Sequence, residues 1–213
     1  MEAFIDRKDA GSRLAVEMND YITRDSIVIA LPRGGVVVGY KIAKKYGLPL
    51  DVFISRKIRH PFNPEYAIGA ITETGHMLKD EQSISSFYIT GEYLEKTINE
   101  EKKLIADKIN IFRGGKPLSN LNSKDIILVD DGIATGYSIT AAIESLRQLK
   151  VASIVLVVPV APLDAIERLT KLVNKLFVLL SPPYFTAVGE FYSDFSEVTD
   201  NDVVEILSKS KRP

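Results

Sequence analysis

Ile126-Ile127-Leu128-Val129-Asp130-Asp131-Gly132-Ile133-Ala134-Thr135-Gly136-Tyr137-Ser138 is the stretch that decides the fold of this chain. Four apolar residues read as a buried strand, and two adjacent carboxylates stand at its C-terminal end. A short loop of small and hydroxyl residues follows, and Ile139 to Leu149 reads as an amphipathic helix. In an open parallel sheet, ligands bind beyond the carboxyl ends of the strands. A loop of this kind at the start of a helix suits a phosphate monoester, because unpaired N–H groups and the helix dipole both favour an anion there. Asp130 and Asp131 cannot be phosphate ligands themselves. They are placed to accept hydrogen bonds from neighbouring hydroxyls, such as a ribose diol, or to hold a divalent metal. Carboxylates beside a phosphate cradle point to a sugar phosphate.

Outward from this stretch, four more runs share its character: Ile27–Ala30, Val52–Ile54, Ile154–Val158 and Leu176–Leu180. Each is short, almost continuously apolar and rich in Val, Ile or Leu, as strands buried on both faces are. Helical patterns lie between them. Asp9 to Tyr21 carries Leu14, Ala15, Met18 and Ile22 along one side; Val36 to Tyr46 ends at Gly47, a suitable C-cap; Glu92 to Phe112 is a long charged helix; Leu163 to Leu172 follows Pro162, which suits a first turn. Strands alternating with helices imply right-handed crossovers. The expected fold is therefore α/β, a doubly wound and mostly five-stranded parallel sheet flanked by helices. Residues 59–90 break the rhythm with two prolines, a run at Ala67–Thr72 and a second candidate strand near Ser86–Ile89. They read as a hairpin-like excursion, and an insertion of that length is usually functional or mobile.

Composition narrows the function classes. At 213 residues the chain fits one domain, 1–213, with a core over about 22–58 and 91–181 and a C-terminal segment at about 182–200. Charge is balanced, 27 basic residues against 28 acidic, which argues against nucleic acid or an anionic membrane as a partner. The absence of cysteine removes disulfides, thiolate metal sites and cysteine nucleophiles. No apolar run approaches the ~20 residues of a membrane span, and the opening residues lack a secretory pattern, so a cytoplasmic protein is expected. His60 and His76 receive no role.

Two further constellations concern charge. Leu31-Pro32-Arg33-Gly34-Gly35 follows the first strand and opens a helix; its glycines let the backbone approach an anion and Arg33 adds charge. The spacing fits neither the dinucleotide fingerprint nor the P-loop. Ser55-Arg56-Lys57-Ile58-Arg59-His60 reads as the end of the second strand, with cations dense for a near-neutral protein. Cations this dense at a strand end suit a multiply charged anion.

The Asp130–Ser138 segment resembles the phosphoribosyl pyrophosphate (PRPP) motif of the type I phosphoribosyltransferases. Arg56-Lys57-Ile58, Asn63–Ala70 and Val188–Phe195 followed by Val198-Thr199-Asp200 are similar to a group of bacterial and archaeal members with unassigned substrate. The resemblance implies that Asp130 and Asp131 hold the ribose hydroxyls and that Ala134, Thr135, Gly136, Tyr137, Ser138 and Thr140 form the 5′-phosphate loop. It implies that Arg33, Gly34, Gly35 and Arg56 bind on the pyrophosphate side, with a non-proline cis peptide expected at Pro32–Arg33. Catalytic roles fall to Asp130, Asp131 and Lys57, and Mg²⁺ would be held by Asp130, Asp131 and Asp194. The loop in residues 59–90 would close over substrate, and a homodimer is common in the family. Where enzymes for 6-oxopurines carry an aspartate, this chain has Ala134, which cannot shuttle a proton, so hypoxanthine and guanine are disfavoured as acceptors. By position alone Glu65 or Glu73 is a substitute acid/base. Tyr184, Phe185, Phe191, Tyr192 and Phe195 form either a base-stacking hood or a clamp on the core. A PRPP sensor without turnover is the alternative function.

Overall fold

The computed structural model describes residues 4–210, except the side chains of Pro64 and Glu65. The strands are β1 (Ser26–Ala30), β2 (Leu50–Val52), β3 (Ser55–His60), β4 (Asn63–Thr72), β5 (Met77–Lys79), β6 (Asp125–Val129), β7 (Ser153–Val160) and β8 (Lys175–Leu180). The helices are α1 (Arg7–Val16), α2 (Gly34–Tyr46), α3 (Glu81–Ser86), α4 (Gly91–Arg113), α5 (Tyr137–Gln148), α6 (Leu163–Thr170) and α7 (Asp200–Ser210). The five apolar runs become one parallel sheet in the order β2-β1-β6-β7-β8. Their doubly hydrophobic character has a direct cause. Val28, Ala30, Ile127 and Val129 point into a core shared with α1, α2, α4 and α7, whereas Ile29, Ile126 and Leu128 point into a second core under α5 and α6.

The strand order reverses at β1. Its chain neighbour β2 pairs on one side and β6 on the other, in register from Ser26 opposite Asp125 to Ala30 opposite Val129. A crevice opens where the two following connections leave the sheet in opposite directions. Residues 31–35 leave β1 there, and residues 130–136 leave β6.

The excursion differs from its expectation in two ways. It starts at Ser55, not at residue 59, because Phe53 ends pairing to β1 and the chain turns into an antiparallel sheet, β3-β4-β5. The basic run is therefore a strand in its own right. Residues 86–89 are not a strand: Asp80 caps α3 by accepting from Ser83 N, and the helix ends in a turn with Tyr88 at φ 51°. Met77–Lys79 supplies the third strand instead. The sheet's base is tied to α5 by hydroxyl contacts, Thr72 Oγ1 to Ser145 Oγ at 2.8 Å and Thr74 Oγ1 to Ser145 Oγ at 3.0 Å.

Helix boundaries also shift. The first helix begins at Arg7, capped by the Asp6 carboxylate, and stops at Val16; a 3₁₀ turn covers Asn19–Tyr21. Pro162 stands at the N-cap of α6 rather than inside its first turn. Gly47 caps α2 at φ 65° as expected. The C-terminal helix α7 has no counterpart in the sequence reading; it buries Val203 and Leu207 against the α2–α4 face.

Candidate active site

At the crevice the two connections touch. A Cβ on Gly34 would stand 1.8 Å from Asp131 Oδ2, and one on Gly35 would stand 2.9 Å from both Asp130 Cα and Val129 O. Only glycine lets the start of α2 lie directly on the acid pair. The Pro32–Arg33 peptide bond beside them is cis. Two cavities share Asp130. One, of about 140 Å³, is lined by Lys57, Asp130 and the 132–139 loop and closed by Val188. The other, of about 480 Å³, lies over Pro32, Arg33, Gly34 and both acids, with Arg7 and Phe195 on its far wall.

The loop after the acids has the features of an anion cradle. Gly136 sits at φ 78° as the N-cap of α5, and no side chain caps that helix. The first amides of α5 thus face the smaller cavity with the positive end of the helix dipole behind them. Ala134 and Thr135 are exposed, Tyr137 and Ser138 half-buried and Thr140 buried. Arg168, which the sequence reading did not single out, braces the loop by donating from Nη2 to Thr135 O at 2.6 Å. The Tyr137 hydroxyl donates to Asp80 Oδ2 at 2.5 Å, tying the loop to the antiparallel sheet. Burial pushes the Tyr137 phenol above its ordinary range, and the Asp80 carboxylate adds to the push.

The two acids sit in unlike environments. Asp130 keeps a little accessible surface but is ringed by protein atoms. Desolvation, reinforced by the neighbouring Asp131 charge, raises its carboxyl well above the usual range, and Lys57 works in the opposite sense. Asp131 is ion-paired: Arg7 Nε donates to its Oδ2 at 2.7 Å. Its backbone carbonyl accepts from the Tyr192 hydroxyl at 2.6 Å.

The cations divide. Lys57 meets Asp130. Arg33 reaches the acid cavity but donates to Glu197 Oε1 at 2.7 Å. Arg56 does not reach the acids. Its Nε donates to Glu101 Oε2 at 2.6 Å, and it lines an adjoining cavity of about 410 Å³ with Arg33, Ser55 and Lys108. Arg59 shares Glu101. Alternation along β3 separates Lys57 from Arg56, and the register irregularity between Ile58 and His60 lets Arg59 reach the Glu101 that Arg56 holds.

Asp194 does not join the acid pair. It is exposed on another cavity, between α1, α2 and α7, where the Ser196 backbone and hydroxyl hold its carboxyl below the ordinary value. Among the described residues no three acidic or histidine side chains gather as a metal cage. Mg²⁺ commonly takes one or two carboxylates and completes its shell with substrate phosphates and waters. Asp130 and Asp131 fit that smaller donor set. Glu73 is not free for acid/base work: it is buried in an ion pair with Arg113 and accepts from Ile54 N. Desolvation raises its carboxyl, with Arg113 opposing. The Glu65 side chain lies outside the described residues.

The C-terminal aromatics are mostly a clamp. Phe185 stacks on Phe191 at 5.3 Å between ring centroids, and Tyr192 packs on Phe4 and Phe195 at 5.3 and 5.1 Å. Of the five, Tyr184 alone stands fully in solvent.

A profile of the phosphoribosyl transferase domain matches residues 5–195. The chain belongs to that family. Two Mycobacterium tuberculosis proteins (strains CDC 1551 / Oshkosh and ATCC 25618 / H37Rv) that carry the provisional name phosphoribosyl transferase are each 33% identical over 212 residues, covering this whole chain and 48% of their own. The chain thus spans about half the length of the curated relatives it matches. The crystal structure of TT1426 from Thermus thermophilus is similar with a TM-score of 0.80 and 37% identity, over 97% of this chain and 98% of its own. Among the described residues no helix is long and apolar enough to cross a membrane.

Proposed function

We propose that this chain is a Mg²⁺-dependent phosphoribosyltransferase, moving the 5-phosphoribosyl group of PRPP to a nitrogenous base or similar acceptor with release of pyrophosphate. The observation that carries the reading is the contact of the two crevice loops, with Gly34 and Gly35 lying against Asp131 and Asp130. A ribose whose diol meets the acids is then served at its 5′-phosphate by Thr135, Gly136, Tyr137 and Ser138. Its pyrophosphate is served by Arg33, Gly34 and Gly35, with Arg56 in the adjoining cavity. The bond from the anomeric carbon to pyrophosphate oxygen breaks while one to the acceptor nitrogen forms, through an oxocarbenium-like state. The Asp130 carboxylate, beside the developing positive charge, stabilises it. Arg33 meets the charge gathering on the leaving group, and Lys57, beside Asp130 in the smaller cavity, adds positive charge on the 5′-phosphate side. Asp130 and Asp131 would hold Mg²⁺, which would supply positive charge to the pyrophosphate.

Ala134 supports an acceptor other than a 6-oxopurine. The same substitution, with Glu73 locked on Arg113 and the aromatic segment packed on itself, favours the second reading, a PRPP sensor. Titration calorimetry with PRPP, with and without Mg²⁺, tests the first step, and a panel of bases followed by pyrophosphate release tests turnover. Asp130→Asn with Asp131→Asn is expected to abolish PRPP binding and leave the circular dichroism spectrum unchanged. Tight PRPP binding by that double variant would overturn the site.

A further inference from the structure

Arg7 lies far from every motif in the sequence, yet it is firmly held at the crevice. It is the first residue of α1 and is only 9% exposed. Nε donates to Asp131 Oδ2 at 2.7 Å, Nη1 donates to Ser196 O at 2.9 Å, and the guanidinium carbon lies 3.8 Å from the centroid of the Phe195 ring. Two edges and one face of the planar group are fixed, so it cannot swing toward solvent without breaking all three contacts. A lysine could reproduce the charge but neither the fork nor the stacking.

What Arg7 fixes is the direction of the Asp131 carboxylate. That carboxylate hangs over Gly34, and the position a Gly34 Cβ would take is 2.7 Å from Arg7 Nε as well as 1.8 Å from Asp131 Oδ2. The acid is thereby held against the loop after β1, where a neighbour of the same charge, Asp130, would otherwise repel it outward. Arg7 uses one N–H on one oxygen. A carboxylate accepts about four hydrogen bonds, so Asp131 can still receive a diol hydroxyl in its fixed orientation.

We propose that Arg7 is a positioning residue for the sugar diol: it holds Asp131 over Gly34 and, through Phe195 and Ser196, joins the C-terminal segment to the ribose side of the pocket. This rests on the PRPP reading above and adds a residue to it. It acts most on ligands that carry the diol, since pyrophosphate meets only the Arg7 charge on the far wall of its cavity.

The test is calorimetry on the full chain with PRPP, ribose 5-phosphate and inorganic pyrophosphate. Arg7→Gln is expected to weaken PRPP and ribose 5-phosphate by roughly tenfold or more, as for a lost hydrogen bond to a charged group, with pyrophosphate, which loses only one charge on the far wall of its cavity, weakened severalfold less. In an Asp131→Asn background the same change is expected to add little, because the two residues act as one unit. Arg7→Lys and Phe195→Leu keep the test decisive if Arg7→Gln does not fold; each is expected to cause a smaller loss with the same ligand selectivity. Equal loss of all three ligands, or additive losses in the double variant, would reduce Arg7 to scaffold and overturn the proposal. Tighter PRPP binding by Arg7→Gln would overturn it too, by making Arg7 a competitor for Asp131. Failure of the unsubstituted chain to bind PRPP would instead overturn the functional reading beneath it.

Discussion

Gly35→Ala puts the contact between the two crevice loops to a direct test, because two opposed effects meet there and their magnitudes can be compared. Gly35 lies in the first turn of α2, where an added methyl should gain up to about 1 kcal/mol of helix propensity. Against this, the new Cβ would stand 2.9 Å from Asp130 Cα, 2.9 Å from Val129 O and 3.2 Å from Asp130 Oδ1. Two of these are backbone atoms at the end of the central strand, with no rotamer to yield. Ordinary carbon contacts begin about half an ångström farther out, and overpacking of this kind costs roughly 1–3 kcal/mol. The net expectation is a loss of about 1–2 kcal/mol, a fall of roughly 2–8 °C in Tm for a chain of this size. Because the loops are pushed apart at Asp130, PRPP affinity should drop by at least about tenfold. Gly91→Ala is the matched control. It starts α4 with nothing within 4 Å of its Cβ, so it should be neutral or stabilising by up to about 1 kcal/mol and leave PRPP binding unchanged. Scanning calorimetry and PRPP titration on the two variants read both quantities. If Gly35→Ala matched Gly91→Ala in Tm and in PRPP affinity, the loops would not touch as described and the acid pair would have lost its floor.

Glu73→Gln should cost about 3–5 kcal/mol by urea unfolding, since it leaves Arg113 charged and buried at 5% side-chain exposure; adding Arg113→Met should recover part of that loss. Asp125 is held below the ordinary carboxylate range by hydrogen bonds from Ser153 Oγ and Thr23 Oγ1. Its contribution is therefore complete above the unfolded value and is lost as pH falls through the folded one, so Asp125→Asn should flatten the fall in urea midpoint between about pH 5 and about pH 2. An unchanged acid slope would mean that other carboxylates carry it. Tyr184→Ser should leave Tm unchanged, because the ring stands in solvent; a large drop on melting would show that it belongs to the clamp.

Legibility in the sequence followed how local each cause is. The parallel strands could be read because each is buried on both faces, and that leaves an unbroken run of apolar residues. The acid pair and its loop could be read because strand, carboxylates, glycine and helix start are consecutive. What escaped depends on distance along the chain. Arg7 meets Asp131 across 124 positions, and Arg56 is claimed by Glu101 across 45; nothing beside Arg7 or Arg56 announces either partner. The α7 helix is short and charged, with two buried residues, a weak periodic signal. Its one local mark is Thr199, whose hydroxyl and amide both meet Asp202 in a capping arrangement. The strand expected at Ser86–Ile89 failed because Asp80 as an N-cap outweighs the β-branched and aromatic residues that follow.

The wall of the pocket is assembled from both ends of the described chain. Phe4 N donates to Phe191 O at 2.8 Å, Ser193 N to Phe4 O at 2.7 Å and Asp194 N to Ile5 O at 2.8 Å, a short backbone seam two or three residues from Arg7. During synthesis the first half of that seam leaves the ribosome almost two hundred residues before the second, and β1 waits about a hundred residues for β6. A nascent chain halted before Asp125 holds the glycine loop with no acids to lie on, and one halted before Tyr192 holds the acids but neither the Ser196 carbonyl nor the Phe195 ring that fix Arg7. The site is therefore completed late and in two stages, and a chain shortened to residue 190 would lose both the seam that sets Arg7 in place and the Val203 and Leu207 side chains that α7 adds to the core.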